Sequence, residues 1–145
     1  MDDELHGSRI LIVDDSPDNL RLLTTVLKHA GLVARPVTSG RQAIKAAEAD
    51  PPDLVLLDVR MPEMSGLDVC RWFKQDERLR NIPVIFISGL QSREDKIEGF
   101  RAGAVDFVSK PFVEEEVLAR IRTHLRLRRL EAKLLGYEQK LAGSQ

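Results

Sequence analysis

Four short stretches of the chain carry residues whose types suit joint chemistry. Asp14-Asp15 follow the apolar run Ile10-Leu11-Ile12-Val13, and Asp58 closes Leu54-Val55-Leu56-Leu57. Ser88-Gly89 follow Val84-Ile85-Phe86-Ile87, and Ser109-Lys110-Pro111 follow Val105 to Val108. If these four ends meet, three carboxylates, a hydroxyl and an ammonium share one crevice. Close carboxylates repel one another and raise each other's pKa. A hard divalent cation relieves that repulsion, and Mg²⁺ takes about six oxygens, usually one or two carboxylates with waters and a substrate phosphate. The chain has a single cysteine, and His6, His29 and His124 lie away from these ends, so Mg²⁺ (with Mn²⁺ able to substitute) is expected rather than zinc. A lysine facing such a site adds positive charge where a phosphoryl group could sit. Phosphoryl transfer needs little beyond an in-line nucleophile, a metal and charge neutralisation. An aspartate serves as that nucleophile through an acyl phosphate. A lone aspartate at a strand end is usually a turn former or helix cap. The ordered set of acid pair, acid, hydroxyl and Lys-Pro is what carries weight.

Such a set needs elements to bring it together. Five apolar runs, those above and Val33 to Val37, alternate with amphipathic stretches, and three of them are β-branched without polar alternation. Strands buried on both faces of a parallel sheet have that pattern. Ser16-Pro17 opens a first helix with Leu20, Leu23, Leu27 and Ala30 on one face, and Gly31 stops it. Ser39 with Gln42 reads as a capping box for a second helix. Ser65 and Ser92 are expected to cap the third and fourth, with Asp68 and Asp95 at N3. Ile97 and Phe100 are expected to face inward, and Gly103 to end the fourth helix. Pro111 and then Glu114-Glu115-Glu116 open the fifth, with acid at the positive end of the helix dipole. Five βα units with right-handed crossovers make a doubly wound five-stranded parallel α/β sheet. In such sheets the functional residues lie beyond the carboxyl ends of the strands, where the strand order reverses.

Composition narrows the classes. The 145 residues are 43% hydrophobic and 31% charged, as in one globular domain. With 22 basic against 23 acidic side chains the net charge is −1, so no overall field favours nucleic acid or anionic lipid. No apolar run approaches a membrane span, and the acidic start Met1-Asp2-Asp3-Glu4 is unlike a secretory signal, so a cytoplasmic location is expected. Residues 1–7 are expected to be disordered.

At this point a resemblance can be stated. The chain resembles the receiver domain of bacterial two-component response regulators, through Ile10-Leu11-Ile12-Val13-Asp14-Asp15, Leu57-Asp58-Val59-Arg60-Met61-Pro62 with Gly66, Ile87-Ser88, and Asp106-Phe107-Val108-Ser109-Lys110-Pro111. The likeness covers residues 8–125 and implies a (βα)5 flavodoxin-like receiver fold. It implies that Asp58 is the phosphoacceptor, served by a sensor histidine kinase or histidine phosphotransfer protein. It implies that Asp15 binds Mg²⁺ directly, that Asp14 assists partly through water, and that Arg60 offers its backbone carbonyl. Lys110 would pair with the phosphate, across a cis bond to Pro111. Ser88 would move to the phosphate and Phe107 swing inward behind it, switching the face made by the fourth and fifth helices and the fifth strand. The sequence departs from the commonest pattern at Gly89, where alanine is frequent, and at Phe107, which lacks the hydroxyl of many relatives. Arg60 and Leu90 occupy positions that influence phosphate lifetime in that family.

Other classes fit less well. A haloacid-dehalogenase-like phosphohydrolase needs a second aspartate two positions after its nucleophile, where this chain has Arg60. The implied role is thus a phosphoacceptor without turnover of external substrates. A dinucleotide-binding module needs a glycine-rich first loop, and Asp14-Asp15-Ser16-Pro17 stands there instead. A degenerate, scaffolding receiver would not retain the complete acid, serine and lysine set. Cys70, at helical spacing with Leu67 and Phe73, reads as a buried structural residue.

The segment 126–145 reads as a helical extension. With Leu127, Leu134 and Leu141 at a and Thr123, Leu130 and Tyr137 at d, Arg126 and Lys133 fall at g and Glu131 and Glu138 at e. That arrangement suits a parallel coiled-coil homodimer, although Gly136 weakens the helix by about 1 kcal/mol. Arg120, Arg122, Arg126, Arg128 and Arg129 read as a solvated face rather than a nucleic-acid surface. Within the receiver family, a helix of this kind resembles those leading to diguanylate cyclase, phosphodiesterase, phosphatase or histidine kinase output domains.

Overall fold

The computed structural model describes residues 3–89 and 93–143. Five strands, β1 (Arg9–Val13), β2 (Val33–Val37), β3 (Leu54–Asp58), β4 (Val84–Ser88) and β5 (Asp106–Ser109), alternate with five helices. These are α1 (Pro17–His29), α2 (Gly40–Ala49), α3 (Gly66–Gln75), α4 (Arg93–Ala102) and α5 (Glu114–Gly143). All pairings are parallel and the strand order is β2-β1-β3-β4-β5, as the alternation of patterns predicts. The order reverses between β1 and β3, which places the ends of those two strands at the switch point.

Side-chain parity divides the core. Ile10, Ile12, Leu54, Leu56, Ile85, Ile87 and Val108 face α1 and α5, where Leu23, Leu27, Val117, Ile121 and Leu125 meet them. Leu11, Val13, Val55, Leu57, Val84, Phe86 and Phe107 face α2, α3 and α4. The strands β3 and β4 are buried along their whole length, which is why they show no alternation in sequence. The edge strand β2 is half-exposed and carries Pro36, a residue tolerated where one side of the ladder is open.

Several local expectations are met and others corrected. The Ser16 hydroxyl accepts from the Asn19 amide with Pro17 at the first turn, and Ser65 with Asp68 forms a reciprocal capping box. Ser39 caps α2, but Gln42 turns to Thr38, accepting from its amide at 2.8 Å and its hydroxyl at 2.9 Å, so the box is not closed on Ser39. Gly31 and Gly103 follow α1 and α4 with φ of 81° and 113°, left-handed positions that end each helix. Ser92 and Leu90 lie outside the described residues. Ile97 and Phe100 do not face inward, being 42% and 52% exposed. The small Gly99 and Ala102 turn to the sheet instead, and Gly99 lets the Phe107 ring come so close that a Cβ there would stand 2.5 Å from Phe107 Cζ. The fifth strand is Asp106–Ser109 rather than Val105 to Val108.

Disorder of residues 1–7 is not what the structure has for the described part. Asp3–Leu5 form a 3-10 turn and Leu5 is buried in the cluster facing α1 and α5. The Gly7 amide donates to Gly31 at 2.8 Å and the Ser8 amide to Leu5 at 3.1 Å. Leu5 and these backbone bonds help anchor an otherwise polar segment.

The helix α5 is continuous through Gly136 to Gly143, 30 residues or about 45 Å. Its first half packs on the sheet through Val117, Leu118, Ile121 and Leu125, as expected. Beyond that, Leu127, Leu130, Leu134 and Tyr137 are exposed. The side chains of Glu138 and Leu141 lie outside the described residues. Arg128 is not simply solvated: its Nη1 donates to the carbonyls of Asp53 at 2.9 Å and Pro52 at 3.4 Å, which ties the helix to the chain entering β3.

Candidate functional site

The carboxyl ends of β1, β3, β4 and β5 converge as the topology demands. One carboxylate oxygen from each of Asp14, Asp15 and Asp58 lies within 4.8 Å of the other two. Lys110 Nζ stands 3.6 Å from Asp14 Oδ2 and 3.8 Å from Asp58 Oδ2. Asp15, Asp58, Arg60, Ser88, Gly89 and Lys110 line a cleft of about 260 Å³.

Each side chain is held by a local device. Asp14 is fully buried; its Oδ1 accepts from the Ser16 amide at 2.9 Å and its Oδ2 from Asn19 Nδ2 at 3.2 Å. The turn that starts α1 therefore also fixes the first carboxylate. Asp15 is exposed and presents its oxygens to the cleft. Asp58 is buried, with Oδ1 accepting from the Arg60 amide at 3.2 Å. The loop after β3 folds back so that the Gly66 amide donates to the Val59 carbonyl at 2.9 Å. A Cβ on Gly66 would stand 2.1 Å from the Asp58 carbonyl oxygen, so only glycine allows α3 to start there. The Lys110 amide donates to the Ser88 carbonyl at 3.0 Å, and the Lys110–Pro111 peptide is cis. Ser88 is buried and belongs to the same cleft.

The electrostatics follow from this packing. Burial, and then the charge of Asp14, push the Asp58 carboxyl up to about 6, against the opposing pull of Lys110 and the Arg60 amide. The cluster carries more negative charge than one ammonium offsets. Its donors are all carboxylate oxygens, which suits Mg²⁺ or Mn²⁺ and not a thiophilic metal. Both Asp14 oxygens already accept from protein donors, so Asp15 and Asp58 are the carboxylates with the greater freedom to reach an ion.

Phe107 lies inward, 8% exposed, with its ring centroid 5.6 Å from Phe86 and 5.1 Å from Phe100. Cys70 is buried, its Sγ 3.4 Å from the Ala102 carbonyl, and burial raises its thiol to about 11, as a structural cysteine requires. Two interactions have no precursor in the sequence reading. Asp106 accepts from Arg120 Nη1 at 2.8 Å and lies 3.0 Å from His124 Nε2, joining β5 to α5. Arg60 crosses to α4, where its Nη2 donates to Asp95 Oδ2 at 3.2 Å.

Among the described residues no helix is long and apolar enough to cross a membrane. The sequence matches the response regulator receiver domain family over residues 10–122. It is 41% identical to the response regulator PleD of Caulobacter vibrioides over 122 residues, which are 84% of this chain and 27% of that protein. It is 40% identical over 134 residues to a Vibrio cholerae protein named as a probable cyclic di-GMP phosphodiesterase, covering 92% of this chain and 30% of that one. The chain thus spans about a third or less of the length of these relatives. Among solved structures, the chemotaxis protein CheY4 of Vibrio cholerae superposes with a TM-score of 0.78 at 27% identity, over 81% of this chain and 98% of that one.

Proposed function

The chain belongs to the response regulator receiver family, and on that premise we propose that Asp58 is the residue that takes the phosphoryl group. Accepting a phosphoryl group from a histidine kinase partner is general to this family of signalling domains. The observation that carries the assignment is the convergence of Asp14, Asp15, Asp58 and Lys110 at the switch point of the sheet, with Asp58 at the floor of the cleft.

In this reading Asp58 attacks the phosphorus of a phosphohistidine in line. The new O–P bond makes an acyl phosphate, the P–N bond breaks, and the departing imidazole takes up a proton. Asp15, Asp58 and the Arg60 carbonyl would hold Mg²⁺, with Asp14 assisting; the ion, when bound, neutralises charge on the transferring oxygens. Lys110 neutralises the cleft from the opposite side and pairs with the phosphoryl oxygens. Ser88 hydrogen-bonds the phosphoryl group, and Phe107, which already lies inward over Gly99 instead of having to swing there, backs the space behind it. The α4-β5-α5 face then changes. Arg60 stands where an external phosphohydrolase would need a second acid, so the reading includes no turnover of other substrates.

Residues 8–125 form the receiver and 126–145 an extension that joins two copies through the exposed Leu127, Leu130, Leu134 and Tyr137. A phosphodiesterase output domain following this helix suits the activity named for the Vibrio cholerae relative. Cytoplasmic residence belongs to the same reading. Incubation with acetyl phosphate and Mg²⁺ should add one phosphoryl mass, and Asp58→Asn should abolish it. Labelling that survives in the variant removes Asp58 from the role.

A further inference from the structure

Arg60 has two attachments that pull on different parts of the molecule. Its amide donates to Asp58 Oδ1, and its guanidinium reaches Asp95 in the first turn of α4, each at 3.2 Å. The Asp95 side chain is 19% exposed and that of Arg60 is 68% exposed. Arg60 is therefore the partner with room to turn. It borders the cleft over Asp58 on one side and, on the other, a groove shared with Met61, Pro62, Leu67 and Asp95. Arg60 thus lies between the phosphoacceptor cleft and the groove beside α4.

A phosphoryl group brings about −1.5 to −2 charges and three strong acceptor oxygens. Guanidinium matches phosphate as a two-pronged donor, whereas its pairing with Asp95 is through one nitrogen at 3.2 Å. Lys110 cannot serve both sides, because it already lies against Asp14 and Asp58. The helix that Arg60 tethers buries few large side chains: Gly99 and Ala102 are its buried residues, while Ile97 and Phe100 are largely exposed. Elements with little buried apolar area are the ones that shift at low free-energy cost.

We propose that Arg60 is a charge-driven latch: it holds α4 through Asp95, and a phosphoryl group on Asp58 competes for the same guanidinium and lets that helix go. This rests on Asp58 being the phosphoacceptor. Signal transfer to α4 then runs through two routes, the buried Ser88 and Phe107 pair and this surface ion pair.

The competition has a signature that a merely structural ion pair lacks. Beryllofluoride with Mg²⁺, a mimic of the acyl phosphate, would be titrated calorimetrically into the full chain, Asp95→Asn, Arg60→Gln and the double variant. Asp95 competes with the mimic for Arg60, so Asp95→Asn should tighten binding about two- to fivefold and Arg60→Gln should weaken it by a similar factor. In the Arg60→Gln background, Asp95→Asn should have no further effect. Amides of residues 93–102 should exchange faster once the mimic is bound, and in Asp95→Asn they should do so without it. Single variants that shift affinity in the same direction, effects that add in the double variant, or wild-type exchange that is unchanged by the mimic overturn the latch. Wild-type protein that binds no beryllofluoride overturns the Asp58 assignment itself, which separates the two failures.

Discussion

Replacing Asp58 by asparagine probes the acidic cluster before any phosphate is involved. The Asp58 side chain is 7% exposed, and burial followed by the Asp14 charge lifts its carboxyl from an ordinary 3.8 to about 6. The folded protein therefore holds this proton more tightly than the unfolded chain. The stabilising effect is complete below the unfolded value and is lost as pH rises through about 6. The displacement corresponds to about 3 kcal/mol, which the metal-free fold forgoes at pH 7.5 by keeping Asp58 ionised. Asparagine keeps the shape and a carbonyl for the Arg60 amide, and removes the charge. Urea unfolding in EDTA at pH 7.5 should show the variant more stable by about 2–3 kcal/mol. The gap should shrink to about 1 kcal/mol at pH 4.5 and vanish near pH ~3. Mg²⁺ should stabilise the wild type more than the variant. A variant equal to or weaker than the wild type at pH 7.5 in EDTA would refute the claim that Asp58 is ionised against its surroundings.

Four further outcomes test separate parts of the molecule. Lys110→Ala removes the ammonium that opposes the rise, so the Asp58 midpoint read by carboxyl NMR should move above about 6; an unmoved midpoint takes Lys110 out of the cluster. Gly99→Ala puts a Cβ against Phe107 and should cost about 1–3 kcal/mol in urea unfolding, partly restored by Phe107→Leu; full stability would mean that α4 does not depend on that close approach. Leu130→Glu with Leu134→Glu should turn a dimer into a monomer in light scattering with helicity retained, and a persisting dimer would place the interface elsewhere. Burial opposes ionisation of Asp106, but hydrogen bonds from His124, the Phe107 amide and Arg120 outweigh it and hold the carboxyl below its usual range. Its contribution is present above the unfolded value and lost as pH falls through the lowered one, so Asp106→Asn should be less stable by about 1 kcal/mol at pH 7, with the gap closing as pH falls below the ordinary carboxylate range. A pH-independent difference contradicts this origin.

The strands were legible because β1, β3 and β4 are buried on both faces, and hydrophobicity alone marks such segments. The cleft was legible because parallel strands carry their ends to one side, so Asp14, Asp58, Ser88 and Lys110 needed no long-range information beyond the topology. The inner face of α4 was not, because it is made of Gly99 and Ala102, and small residues leave no hydrophobic signal while Ile97 and Phe100 suggest the wrong face. The Asp106–Arg120–His124 cluster was missed for a related reason. Asp106 stands in the strand under either reading, on the same face as Val108 toward α5, but a polar residue there gives no hydrophobic signal pointing to partners 14 and 18 positions away. The contact of Arg60 with α4 was not legible, since nothing local links it to a residue 35 positions away.

The uninterrupted α5 has a consequence for anything joined to it. Arg128 clasps the entry to β3, at the end of the sheet away from the acidic cleft, so the helix leaves the body in a fixed azimuth. Every residue inserted beyond that clasp rotates the attached module by about 100°. Fusions built with successively longer helical spacers should therefore respond periodically, recovering with whole heptads and failing between them, so that spacer length works as an angular setting rather than as simple reach.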